Sequence, residues 1–220
     1  MGAALQLVMP FGPVVSYQAE DFIRGGANAA ALDLMERWPN WPYSLVVLHG
    51  PKGCGKTHLA HVFAQRARAT FIAPERIGRV PADQLLTGNH CWVVDGLEQV
   101  RGEAALAQFI NHARARGDYV LMTAQRAPSQ LSFSLNDLRS RLNALPEVAL
   151  GMPDDALLTG VLAKAFADRQ LRVAAEVLQY AVARLERSFE AVQDFVATVD
   201  ERSLASGRAV TLPLVRSVLP

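Results

Sequence analysis

The run Gly50-Pro51-Lys52-Gly53-Cys54-Gly55-Lys56-Thr57 fits the pattern G-x-x-x-x-G-K-[ST], and few other eight-residue runs commit a chain so firmly to one local architecture. Glycines let the backbone wrap closely around an anion, successive N–H groups form a concave nest, and the helix that follows directs its positive dipole end at the same point. Lys56 supplies a point charge for phosphates and Thr57 a hydroxyl for Mg2+. At ordinary residue frequencies a chain of this length shows the pattern by chance less than about once in a hundred.

The flanks carry the order that this loop requires. Ser44 to His49 reads as a short buried strand, and from Thr57 to Arg68 the apolar residues Leu59, Ala60, Val62, Phe63 and Ala67 recur at helical spacing. Downstream, Thr70 to Ala73, Cys91 to Val94, Tyr119 to Thr123 and Glu147 to Leu150 read as four further strands. Between two of them Ala104 to Ala115 is an amphipathic helix that stops at Arg114, Arg116 and Gly117. Such alternation predicts an α/β fold, a five-stranded parallel sheet with helices on both faces and ligands at the carboxyl ends of the strands.

Gly151-Met152-Pro153-Asp154 breaks the alternation, and no strand pattern follows it. Asp154 or Asp155 can cap a helix through about Arg169, Ala174 to Arg187 repeats at helical spacing, and Ser188 can cap a third helix through about Leu204. A short closing helix is expected after Thr211. The expected organisation is therefore an N-terminal tail over 1–15, an α/β nucleotide-binding domain over 16–151 and a small all-helical lid over 152–220.

The 220 residues are enough for one domain and a smaller companion, and with half of them apolar the chain can bury a real core. A formal net charge of +1 lacks the basic excess of a free-standing nucleic-acid binder, so sequence-specific DNA binding is not expected. Two cysteines, Cys54 and Cys91, suit reduced thiols better than a disulfide framework. No apolar stretch reaches the length of a bilayer span and no basic segment precedes an apolar one at the N-terminus, which predicts a cytoplasmic protein with no membrane partner.

A nucleoside triphosphatase also needs a carboxylate at the end of a buried strand for the Mg2+ shell, and Cys91-Trp92-Val93-Val94-Asp95 supplies one. Thr123 ends the next strand with Gln125 just beyond it, where a polar group can reach a γ-phosphate or attacking water; a plain turn is the alternative. Leu138-Arg139-Ser140-Arg141-Leu142 sets two arginines two positions apart, so on a helix they diverge and one of them faces a given partner.

In this order, phosphate loop, Asp95, Thr123, Leu-Arg-Ser-Arg-Leu and helical lid, the chain resembles the AAA+ proteins, and among them the DnaA initiator group and its short Hda-like branch of alphaproteobacterial type. The segments that carry the resemblance are Asp21-Phe22-Ile23 with Asn28-Ala29, Arg37-Trp38-Pro39 with Trp41-Pro42, Gly50 to His61, Val93-Val94-Asp95 and Asp137 to Leu142. The helix-turn-helix domain that ends true initiators is absent from this stretch, which points to a regulator. The resemblance implies ADP or ATP with Mg2+ as ligands, held by Gly50 to Thr57 with His58, by Phe22 and Ile23 around the adenine, and by Asp95 with Thr57 on the metal. It further implies Arg141 as an arginine finger acting in trans on the ATP of DnaA, and Thr123, Gln125 and Arg187 as sensor positions.

Gln6-Leu7-Val8-Met9-Pro10-Phe11 is similar to the peptide by which this branch docks on the DNA polymerase III sliding clamp (the beta subunit), with Gln6 as hydrogen-bonding group and Leu7, Met9 and Phe11 as apolar anchors. The implied function is inactivation of the initiator: a clamp-docked, ADP-bound adaptor stimulates hydrolysis of DnaA-bound ATP and so prevents over-initiation, with a homo-oligomer as a further possible partner state. Two departures bear on this. Gly96 stands where active ATPases of this class carry a second acidic residue, with Glu98 two positions on, and Glu190 aligns with the lid's sensor arginine beside Arg187. An autonomous AAA+ ATPase acting as loader or remodeller, using Glu98, is the alternative; a truncated initiator acting on DNA is a third and is disfavoured by the charge.

Overall fold

The computed structural model describes residues 23–207 and 209–219. Five parallel strands, β1 (Leu45–His49), β2 (Thr70–Phe71), β3 (Cys91–Asp95), β4 (Tyr119–Ala124) and β5 (Glu147–Ala149), lie in the order β2-β3-β4-β1-β5. Parallel pairing demands crossovers, and helices supply them. They are α2 (Lys56–Ala67), α3 (Ala82–Leu85), α4 (Glu103–Arg116) and α5 (Asn136–Asn143), while α1 (Ala29–Glu36) precedes β1. After β5 come only helices, α6 (Asp155–Asp168), α7 (Ala175–Val182), α8 (Phe189–Ser206) and α9 (Leu212–Arg216).

Period-two alternation decides which strand residue faces which helices. Leu45, Val47, Trp92, Val94, Val120 and Met122 pack with Leu106, Phe109 and Ile110 of α4 and Leu138 and Leu142 of α5. Val46, Leu48, Val93 and Leu121 face the other way, onto Leu59, Ala60 and Phe63 of α2 and Ala31, Leu32 and Met35 of α1. Burial on both faces explains why β1, β3 and β4 read as largely apolar runs. The C-terminal helices close over a separate core of Leu158, Leu162, Phe166, Val177, Val192, Val196, Val199 and Val215.

Local signals account for most boundaries. Asp154, rather than its neighbour, caps α6 by accepting from the Leu157 N–H at 2.7 Å, and Ser188 caps α8 by accepting from the Ala191 N–H at 3.1 Å. The expected strand from Thr70 to Ala73 is regular only to Phe71: Ile72 still donates to the Val93 carbonyl at 2.8 Å, and Pro74, with no N–H to give, opens a 3-10 turn. The expected helix to Arg187 ends at Val182, and a turn in which the Leu185 N–H reaches the Ala181 carbonyl at 2.8 Å leads on to Ser188, the cap of the next helix. Among the described residues no helix is long and apolar enough to cross a membrane.

Candidate functional site

β1 delivers the loop at its carboxyl end, beside the carboxyl end of β4, and α2 begins with Lys56. Gly53 and Gly55 adopt φ of 79° and 97°, values that side-chain-bearing residues rarely take. Space is equally restrictive. A Cβ on Gly50 would lie 2.2 Å from the Leu150 carbonyl oxygen, and one on Gly53 would lie 2.5 Å from Cβ of Ser188. The loop is thus pressed between β5's exit and the start of α8, where the Phe189 N–H, an otherwise orphaned first-turn donor, reaches the Gly53 carbonyl at 3.1 Å.

Lys56 Nζ folds over this loop and donates to the Gly50 and Pro51 carbonyls, each at 2.8 Å. Cys54 lies beneath, buried, and burial pushes its thiol pKa up against the opposing pull of Lys56. Pro51 and Lys52 are exposed on the outer side of the loop, and His58 sits half-buried in the first turn of α2.

Thr57 and Asp95, the pair expected at a metal, stand together. Thr57 Oγ1 donates to Asp95 Oδ2 at 2.9 Å, and on the other side the buried Thr123 hydroxyl donates to Asp95 Oδ1 at 2.5 Å while accepting from the Gly96 N–H at 2.9 Å. Strand register causes this, since Asp95 lies directly opposite Thr123 in the β3–β4 pair. The carboxylate is therefore fixed by two hydroxyls. Among the described residues no cluster of three or more His, Cys, Asp or Glu forms a metal cage. Mg2+ retains waters and phosphate oxygens around one or two protein ligands, a number that Thr57 and Asp95 could supply. Glycine-lined cradle, lysine, hydroxyl and carboxylate together could hold a Mg2+-bound nucleotide.

Gly96 has a structural reason to replace an acid. Its φ of 97° turns the chain into a 3-10 turn, Leu97–Gln99, and a Cβ there would meet Gln99 Nε2 at 2.6 Å. The turn sends Glu98 back across the sheet end, where its carboxylate accepts from the Gln125 N–H. Gln125 thus enters the site through its backbone.

The lid-side residues divide between the phosphate loop and α6. Arg187 pairs with Asp155 at 2.9 Å, both well exposed, whereas Glu190 approaches Lys52 at 3.9 Å. Ile23 is half-buried at the seam with α6, its Cδ1 within 3.1 Å of where a Cβ on Gly160 would stand. Phe22 and the tail residues Gln6, Leu7, Met9 and Phe11 lie outside the described residues.

Arg139 and Arg141 diverge as the helical spacing requires. Arg139 turns to Asn136 at the start of α5. Arg141 donates from Nε to Asp137 Oδ2 at 2.8 Å and from Nη1 to Asn111 Oδ1 on α4, with about a third of its side chain still exposed. Asn111 was invisible to sequence reasoning. Its one local trace is a polar residue of weak helix propensity in mid-helix, and the contact joins positions far apart in the chain.

Two family models match the chain: the ATPase family associated with various cellular activities (AAA) over residues 46–122, and the Hda lid domain over residues 155–219. Together they support an Hda-like, DnaA-related AAA+ protein. The Hda-like chain is 27% identical to an uncharacterised protein of Haemophilus influenzae, covering 97% of this chain and 98% of that one. It is 25% identical to the chromosomal replication initiator protein DnaA of Caulobacter vibrioides over 91% of its own length, but spans only 47% of that initiator. Its fold matches domain III of the Thermotoga maritima replication initiation protein DnaA with a TM-score of 0.77, at 19% identity, over 90% of this chain and 93% of that one.

Proposed function

We propose that this Hda-like chain is a nucleotide-bound adaptor that shuts down the initiator: it docks on the sliding clamp through Gln6, Leu7, Met9 and Phe11 and stimulates hydrolysis of DnaA-bound ATP. Its own loop, Gly50 to Thr57 with His58, holds ADP or ATP as an organising ligand, with Mg2+ at Thr57 and Asp95 and the adenine near Phe22 and Ile23. The observation that carries the proposal is Arg141, a guanidinium held at the surface by two protein acceptors and still partly open to solvent. A finger of this kind supplies positive charge to a phosphoryl-transfer transition state in a neighbour, an effect of about 10³ to 10⁵ in rate. Gly96, committed to a turn, supports a chain that lends an arginine rather than cycling on its own ATP.

The test is loss of ATP from DnaA in the presence of clamp on DNA. Arg141→Ala should retain fold, nucleotide and clamp binding yet leave DnaA at its intrinsic hydrolysis rate; full stimulation by this variant would remove the arginine from the scheme. Deletion of residues 6–11 should abolish clamp binding and leave nucleotide binding intact. The path of Glu98 back to the strand ends favours a second reading, an autonomous ATPase acting as loader or remodeller. Steady-state turnover by the purified protein, lost in Glu98→Gln, would select it.

A further inference from the structure

We propose that Asn111 is a positioning residue for Arg141, presenting its guanidinium to the nucleoside triphosphate of a partner. The inference rests on the proposed function and assigns it a residue that no motif contains. Arginine carries five N–H donors in one plane. In this structure one of them, on Nε, goes to Asp137 and one, on Nη1, goes to Asn111, which leaves three without a partner among the described residues. The two acceptors stand on different helices, α5 and α4, so together they restrain rotation of the group where either alone would permit it.

The helices themselves are fixed to each other. Leu138 and Leu142 of α5 are fully buried in the same core as Leu106, Phe109 and Ile110 of α4. At the N-terminal ends the Glu103 carboxylate accepts from the Ser134 N–H at 2.9 Å and the Leu135 N–H at 2.5 Å. Asn111 therefore sits on a rigid support, not on a loop. Its chemistry is also apt: a neutral amide oxygen holds the guanidinium without adding negative charge where a triphosphate must approach, whereas Asp137 alone already offsets part of the arginine's field. Ordering the side chain beforehand removes a rotamer-entropy cost from the assembled transition state.

The experiment uses the full chain, clamp loaded on nicked duplex and DnaA carrying labelled ATP, under single turnover, with protein concentration varied. Asn111→Ala should lower the saturating rate about ten-fold, because small misplacements of a catalytic group are costly, and leave the half-saturating concentration unchanged. Asn111→Asp, which keeps an acceptor oxygen but adds charge, should fall between the wild type and Ala. Asn111 is exposed and alanine is the better helix former, so folding is retained, and an unchanged thermal midpoint checks it. A shift in half-saturation alone, or an Asp variant no better than Ala, overturns the inference. Arg141→Ala run in parallel separates the failures: if it abolishes stimulation while Asn111→Ala is silent, only Asn111 is dismissed, and if it is itself silent, the proposed function has the wrong arginine.

Discussion

Two aspartates stand at opposite ends of the same pair of strands, and they are held in opposite ways. Asp118, just before β4, is fully buried and takes hydrogen bonds from Arg116 Nε at 2.9 Å, His90 Nδ1 at 2.7 Å and Trp92 Nε1 at 3.0 Å. Asp95, at the carboxyl end of β3, takes side-chain hydrogen bonds among the described residues only from the hydroxyls of Thr57 and Thr123. A buried carboxylate held by three N–H donors, one of them a guanidinium that balances its charge, serves the fold. One steadied by hydroxyls keeps its charge uncompensated and its remaining lone pairs available, which is the state a Mg2+ ligand needs.

The largest expected effect is on the structural member. Asp118→Ala leaves the buried Trp92 N–H without an acceptor and Arg116 without its counter-charge, and urea unfolding should report a loss of about 3 kcal/mol. Acid unfolding sharpens the point. Burial pushes the Asp118 carboxyl up, but the hydrogen bonds from Arg116, His90 and Trp92 outweigh it and hold the group below the usual carboxylate range. The unfolded chain therefore takes up this proton at higher pH than the folded one, so the stabilisation is present above the ordinary aspartate value and is lost as pH falls through the lower folded one. Asp118→Asn should flatten stability against pH in that acid window. An unaltered slope would show that the network does not couple to folding.

Asp95 should answer differently. Asp95→Asn keeps the volume and an acceptor for either hydroxyl, so stability should move little, whereas the gain in nucleotide affinity on adding Mg2+ should shrink by about ten-fold, about 1.4 kcal/mol, in calorimetry with and without the metal. If Asp95→Asn instead unfolds the protein while Mg2+ dependence survives, the two aspartates have the same role and the contrast is void.

How much of this contrast can be seen in the bare sequence follows from the range of the interactions. The phosphate loop, the strand that feeds it and Asp95 at the end of an apolar run are local patterns, and the structure assembles them in the expected order. Thr123 is visible as a strand-end polar residue, but that its hydroxyl braces Asp95 depends on the register of two strands distant in the chain. Helix α1 carries weak signals, with no side-chain cap bond to its own first turn, and the sequence reading passed over it. The Asn111–Arg141 contact leaves no trace in the sequence beyond a polar residue in mid-helix, since it follows from how α4 and α5 pack together. The lid's helices were legible through Asp154 and Ser188, yet the partner of Arg187 was not, because long exposed side chains choose among several neighbours at little cost.

A third aspartate gives the smallest expected effect and the finest test. Asp137 pairs with Arg141 across one helical turn at 2.8 Å, with more than half of its side chain in solvent. Exposed pairs of this kind contribute about 0.3–0.5 kcal/mol, so Asp137→Ala should change the unfolding free energy by less than about 0.5 kcal/mol. The pair is also an acidic residue beside a guanidinium that must meet phosphates, so its removal trades orientation for net positive charge. Raising the salt concentration distinguishes these two contributions, because screening suppresses the charge effect and leaves the geometric one. Stimulation of DnaA by Asp137→Ala should therefore fall further below the wild type at high salt than at low salt; a deficit that is independent of salt would show that Asp137 acts on Arg141 by geometry alone.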